Sequence, residues 1–256
     1  MGLRMRKPPA ELAVLYEDDA VAAIDKPAGL PAVPIPGSRT PSAWSLASAA
    51  LGRRRQRCFV VHRIDRFTSG ILLFAKTERD RDRLVKQFMA HTPERQYLAV
   101  VRGIPSPKEG TLVHYLQRVG MVQKLRTESD PAAARAELRY RVERPLRGAA
   151  LVRVTLVTGL QNQIRAQFAA IGHPVIGDRK YHQAEAAERL IERVALHATH
   201  LGFAHPRSGE AVAVECPPPH DFRSLVERLT PGARRRNDEG SLIKRAVLPN
   251  SPRSGH

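Results

Sequence analysis

Cysteine is nearly missing: Cys58 and Cys216 are the only two in 256 residues, and they do not form a CxxC. That excludes a disulfide framework and a structural zinc cluster, and a reducing compartment is expected. Long apolar runs are missing as well. No stretch approaches the ~20 apolar residues of a membrane span. The basic start "MGLRMRKPPAEL" is not followed by the apolar core of a signal peptide. The chain is therefore expected to be soluble and cytoplasmic, with no membrane association. Aromatic residues make up only 5%, too few for a platform of many exposed rings such as single-strand-binding modules use, so any stacking must rest on one or two rings. GxxxxGK[ST], a strand-borne GxGxxG and HExxH are absent too, and nucleotide-driven or zinc-peptidase chemistry has no motif to support it.

Acidic residues are the remaining shortfall. Against 42 Lys and Arg stand 25 Asp and Glu, and the net charge of +17 creates a strong positive field. A polyanionic partner, nucleic acid first, is the leading inference. An anionic membrane surface, or charge that only solvates helix faces, is the alternative.

No Pro/Gly/Ser linker and no repeat of fixed period divides the chain, so one domain over residues 11–230 is the economical reading. Residues 1–10 and 231–256 are basic and lack periodic apolar positions, and both are expected to be flexible or disordered. Inside the domain, "LAVLYEDDAVAAIDKP" predicts two short strands around an acidic turn, and "ILLFA" and "YLAVV" are compact apolar runs. "ARAELRYRV" alternates, with Ala136, Leu138, Tyr140 and Val142 on one face and Arg135, Glu137, Arg139 and Arg141 on the other. "LVRVTLV" follows after a short turn.

Four helices are expected. Thr77 and Asp80 make a capping pattern ahead of a stripe of Leu84, Val85, Phe88 and Met89. A second helix spans residues 161–172 and a third lies in "HQAEAAERLIERV". The fourth is capped by Asp221, with Phe222, Leu225, Val226 and Leu229 as its stripe. The mixed order predicts an α+β fold around a large, mainly antiparallel sheet. His197, His200 and His205 lie in a segment that reads as a strand with a turn. Positions 197 and 200 then face opposite sides, and no metal site is expected.

The chemistry concentrates in "VHRIDRFTSGILLFAK", where a carboxylate, Asp65, stands just ahead of a buried strand. Such a carboxylate requires a cation or several donors. By itself it is more readily a structural ion pair or a turn-starting Asp. The neighbourhood narrows this. "HRIDRFTSG" resembles the HRLDxxTSG signature of the RluA-type pseudouridine synthases. "YEDDAVAAIDKPAGLPAVP", "RQYLAVVRG", "LVTGLQNQIRAQFAAIGHPVIGDRKY" and "LHATHLGFAHPRSGE" resemble that family's other motifs, in order, from Leu12 to Leu229.

The resemblance implies the pseudouridine synthase fold, with a central RNA-binding cleft, and conversion of uridine to pseudouridine in a structured ribosomal or transfer RNA. It implies no cofactor and no obligate protein partner, and a monomer is expected. Asp65 would be catalytic, as nucleophile at C1′ or as base on the ribose. Arg165 would hold it ionised, and Tyr97, 32 residues after Asp65, would stack on the uracil. Arg63 would enter the space left by the flipped base. His62, Arg66, Thr68 and Gln163 would join it in binding RNA, with Leu196 and Ile164 packing the pocket.

The basic run Arg53, Arg54 and Arg55 is a further RNA candidate. With the first motif beginning at Leu12, there is no room for the S4 domain of many relatives, so RNA binding is expected to fall to the catalytic domain. One departure stands out: "GLQNQIR" has Leu160 and Asn162 where the family usually reads arginine and histidine, which bears on substrate contacts. A catalytically weak or inactive RNA-folding factor on the same scaffold is the rival reading.

Overall fold

Asp18 builds the first hairpin. Its Oδ1 accepts the Ala20 and Val21 N–H groups at 2.7 and 2.8 Å, and its Oδ2 accepts the Tyr16 hydroxyl at 2.7 Å. The acidic turn thus satisfies its own backbone between β1 (Ala13–Glu17) and β2 (Val21–Lys26). The computed structural model describes residues 11–181 and 190–232. The flexible ends expected at 1–10 and in nearly all of 231–256 lie outside the described residues.

The other strands are β3 (Phe59–Val60), β4 (Ser69–Ala75), β5 (Glu94–Arg102), β6 (Glu109–Val119) and β7 (Val122–Arg126). They continue with β8 (Ala134–Leu146), β9 (Ala149–Leu156), β10 (Leu196–Ala204) and β11 (Ala211–Glu215). They form one 11-stranded sheet ordered β1-β2-β4-β10-β5-β9-β8-β6-β7, with β3 on β4 and β11 on β10. Every pair is antiparallel except β4 with β10, so the sheet is mixed and mainly antiparallel, as the sequence predicts.

Both faces of β4 are covered, which is why "ILLFA" reads as a continuous apolar run. Leu72 and Phe74 pack under α1 (Ala43–Gly52), while Ile71 and Leu73 share a core with Leu84 of α2 (Glu78–Met89). A third core joins β5, β8 and β9 to α3 (Gln163–Ala170) and α4 (His220–Leu229). The alternation of β8 is as expected for Ala136, Leu138 and Tyr140, which are buried, with Arg135, Arg139 and Arg141 exposed.

Thr77 caps α2: its Oγ1 accepts the Asp80 N–H at 3.1 Å and donates to Asp80 Oδ2 at 2.7 Å. The apolar stripe ends sooner than expected. Met89 is 75% exposed, because the last turn of α2 overhangs the cleft described below.

Other expectations are corrected. Pro219, not Asp221, occupies the N-cap of α4. The Asp221 carboxylate is engaged by Arg193 at 2.6 and 3.0 Å. The second expected helix starts two residues late, at Gln163, because Asn162 sits in the left-handed region at φ +55°. Most of the third, residues 182–189, lies outside the described residues; 190–195 is turn and bend, with Ile191 and Val194 in the core. α1 was not anticipated. Its capping box uses Ser45, not an acidic residue, and its buried face is mostly alanine. No helix among the described residues is long and apolar enough to cross a membrane.

Candidate active site

The β3–β4 connection, residues 61–68, is held from three sides. The Asp65 carbonyl accepts the Thr68 N–H at 3.1 Å, which closes the turn. The Arg66 carbonyl accepts the Gly29 N–H at 2.8 Å and Lys26 Nζ at 3.1 Å, while Arg66 Nε donates to the Gly29 carbonyl at 2.9 Å. Lys26, fully buried, also donates to the Pro27 and Leu30 carbonyls at 3.0 and 2.9 Å. Burial pushes its ammonium down to about 7, against the pull of Asp65. Three carbonyls around one ammonium thus lock the "KPAGL" loop to the "RIDRF" loop, and Arg66 is part of that lock.

His62 forms a wall. Its Nε2 accepts the Leu73 N–H at 3.0 Å, and its ring stacks on Phe88 with centroids 4.5 Å apart. Burial, with the Arg95 charge nearby, pushes it down to about 3, so the ring is neutral.

Between this wall, α2 and the start of α3 lies a cleft of about 450 Å³. Asp65 is the one carboxylate among its described lining residues; Arg63, Arg95, Arg118 and Arg165 line it too. The Asp65 side chain is 21% exposed and faces Arg165, whose Nη1 lies 3.5 Å from Asp65 Oδ2. Arg165, 5% exposed, is positioned mainly by others. It donates from Nε and Nη2 to the two oxygens of Asp178 at 2.6 and 2.7 Å, and from Nη1 to Asn162 Oδ1 at 2.7 Å. Burial opposes its charge, but Asp178 and then Asp65 raise its pKa.

Sequence reasoning did not single out Asp178, although it is the one acidic residue in "IGHPVIGDRKY". Arg95 was missed as well. It sits two residues before Tyr97 on the same face of β5, buried, with Nη2 on the Val157 carbonyl at 3.1 Å and Phe88 under its guanidinium. The alternation of "RQY" was the available signal. Tyr97 itself is buried at the cleft. Burial pushes its hydroxyl up to about 12, with Arg95 opposing and Asp65 adding, so it is a neutral phenol at physiological pH.

Leu196 and Ile164 are buried and line the cleft beside it. Arg63 is exposed there and makes no ion pair or hydrogen bond among the described residues. Thr68 is buried at the turn. Gln163 faces inward to its own loop: Oε1 accepts from Thr158 Oγ1 and the Leu160 N–H at 2.9 Å each. Nε2 donates to the Glu137 carbonyl and Gln167 Oε1 at 3.0 Å each. Both amide protons and both lone pairs are thereby engaged.

Arg53 and Arg54 are held elsewhere. Arg53 pairs with Glu11 at 3.7 Å, and Arg54 pairs at 2.8 Å with Glu17, which also accepts from Lys76 beyond the far end of β4. Arg55 follows them in the turn after α1. Among the described residues no group of three His, Cys, Asp or Glu is arranged to hold a metal. His197 bridges Ser69 Oγ and the Cys216 carbonyl at 2.9 Å each, His200 meets Glu215 at 2.6 Å, and His205 meets Asp18 at 3.1 Å.

One recessed carboxylate among four arginines in the described cleft lining, on a mixed sheet in a strongly basic chain, fits an enzyme that handles a polyanion. A family described as RNA pseudouridylate synthase matches residues 20–170. Ribosomal large subunit pseudouridine synthase D of Zymomonas mobilis is 36% identical over 234 residues, which cover 85% of this chain and 73% of that one. The dual-specificity RNA pseudouridine synthase RluA of Escherichia coli K12 is 33% identical over 225 residues, covering 85% and 99%. Among solved structures, human RNA Pseudouridylate Synthase Domain Containing 4 is similar at a TM-score of 0.71. It covers 85% of this chain and 92% of that one at 21% identity, a likeness of fold. The chain belongs to the RNA pseudouridylate synthase family, RluA type, and is an isomerase.

Proposed function

We propose that this pseudouridine synthase acts on uridine in a structured ribosomal or transfer RNA, in the cytoplasm and as a monomer, with Asp65 as the catalytic carboxylate. The observation that carries the proposal is the isolation of Asp65 as the one carboxylate lining the described cleft, loosely held 3.5 Å from a buried arginine. The reaction breaks N1–C1′ and forms C5–C1′, while C5 gives up a proton and N1 gains one. Atoms and electrons balance within the nucleotide, and no redox partner or cofactor is called for.

A uridine stacked in RNA does not reach a recessed carboxylate, so the nucleotide leaves its stack. Arg63, exposed at the cleft and without an ion-pair or hydrogen-bond partner among the described residues, suits the vacated space, where a planar cation both stacks and donates hydrogen bonds. Asp65 then attacks C1′ or removes a ribose proton, and either role needs an ionised carboxylate. The neutral Tyr97 phenol offers its ring to the uracil and its hydroxyl as a relay, which takes the proton leaving C5 only as it passes its own on toward N1.

The test is tritium release from 5-tritiated RNA. Asp65→Asn is expected to abolish release while RNA affinity stays within about twofold. An Asp65→Asn variant that still releases tritium would overturn the assignment, and a wild type that releases none from any cellular RNA would favour a non-catalytic RNA-folding role.

A further inference from the structure

The hairpin of β6 and β7 ends the sheet, yet its tip is tied to the active site. The Met121 carbonyl accepts from Asn162 Nδ2 at 3.3 Å and from Lys180 Nζ at 3.4 Å, and the Gln123 N–H donates to Tyr181 Oη at 2.6 Å. Two of the residues that meet the tip also touch Arg165. Asn162 Oδ1 accepts from Nη1 at 2.7 Å, and the Arg165 guanidinium lies 5.4 Å from the centre of the Tyr181 ring. Since Asp178 engages Nε and Nη2, Nη1 is the nitrogen left to face Asp65, and its second proton points wherever Asn162 lets the first one go. Asn162 is thus a two-ended connector: its carbonyl fixes the arginine, and its amide holds a hairpin whose Arg118 lines the cleft.

The backbone supports this reading. Asn162 stands at φ +55°, a conformation asparagine adopts more readily than most residues, and its side chain is not used as a helix cap. The residue is 7% exposed, so its amide has left water for these two bonds.

We propose that Asn162 is a positioning residue for the isomerisation: it aims Arg165 Nη1 at Asp65 and couples that aim to the basic tip of the β6–β7 hairpin. This rests on the function proposed above. It also explains how "GLQNQIR" supports the pocket without the family's usual histidine.

The test uses the full chain and 5-tritiated total RNA from a strain lacking it, with single-turnover release at saturating enzyme, Kd by filter binding and Tm measured in parallel. Asn162→Gly removes both bonds yet tolerates the left-handed backbone. It is expected to slow release at least about 10-fold, with Kd within about twofold and Tm within a few degrees, a split that a merely structural residue would not produce. Asn162→Asp keeps an acceptor for Arg165 but loses the donor to Met121, and it is expected to be slow as well. Asn162→His, which restores the family residue, should recover at least about a third of the wild-type rate.

Wild-type speed in Asn162→Gly, or slowing only in proportion to lost affinity or stability, overturns the proposal. Wild-type speed in Asn162→Asp overturns the coupling to the hairpin. If the Gly variant does not fold, the Asp and His variants decide in the same way. Failure of the function itself looks different: wild type then releases no tritium, and the proposal falls with it.

Discussion

Arg165 grips Asp178 with two nitrogens at 2.6 and 2.7 Å and keeps Asp65 at 3.5 Å. The two carboxylates share one cation on unequal terms. Asp178, 1% exposed, also accepts the Lys180 and Tyr181 N–H groups at 2.9 and 3.3 Å, and it is fixed as a strut. Asp65 keeps lone pairs free to react. Asp178→Asn should therefore leave the buried guanidinium with only the looser Asp65 carboxylate, with destabilisation of up to about 3–5 kcal/mol in urea unfolding and a sharp loss of tritium release. A loss of stability below about 1 kcal/mol would show that the grip carries little of the fold's stability.

Gly70 is a second position that tolerates no change. Where β4 runs parallel to β10, its backbone sits at φ +108°, and a Cβ there would lie 2.1 Å from the Ala198 carbonyl oxygen. Gly70→Ala is expected to destabilise by at least about 3 kcal/mol, combining backbone strain with a clash against main chain that has nowhere to go. Thermal unfolding measures it, and an unchanged Tm would mean that the two strands can separate.

That glycine shows how far the sequence could be read. Nothing in "TSG" read alone says that Ser69 and Gly70 already belong to β4. Ser69 bonds to His197, and the glycine answers the close approach of a strand 128 residues away. Asp65, Arg165, Tyr97, Ile164 and Leu196 do converge on one cleft, because their motifs carry fixed local spacings. Asp178 and Arg95 escaped notice because a residue whose role is to hold another side chain shows no pattern until both are placed in space. The β6–β7 hairpin escaped for a related reason: at the sheet's end its alternation is only half-buried, and exposed Val113, Val119 and Leu125 blur the period. α1 buries alanines at positions 43 and 47, too small to mark a stripe.

His62 gives the site an acid limit. Its native pKa is about 3 and the ordinary value is 6.5, so between those limits the unfolded chain binds a proton that the native ring refuses. Stability must then fall as pH drops through that window, by up to about 1.4 kcal/mol per unit. His62→Asn cannot take up the proton, and its carbonyl can still accept the Leu73 N–H. Urea unfolding at pH 7 and pH 4.5 should show a smaller acid loss in the variant by about 2 kcal/mol. The other histidines whose pKa burial lowers, His114 and His197, are common to both proteins and drop out of the difference. Equal losses would mean that the ring charges in place.

The arginines divide by whether another group already holds them. Arg63 stands at the cleft without a partner among the described residues, while Arg53 and Arg54 lie by Glu11 and Glu17. The Arg54 pair sits beyond the far end of a seven-residue strand, roughly 20 Å along the sheet from Asp65 at about 3.3 Å per residue. Each phosphate contact adds about 0.7 to 0.9 to the log–log slope of affinity against salt. If Arg63 meets RNA backbone as well as the vacated stack, Arg63→Ala should lower both affinity and slope by about one contact. Combined Arg53→Ala and Arg54→Ala should leave the slope unchanged within about 0.3 and single-turnover release within about twofold. Filter binding from 50 to 300 mM salt reads both. A fall in slope for the double variant, with Arg63→Ala unaffected, would move the RNA path away from the cleft mouth and onto the end of α1.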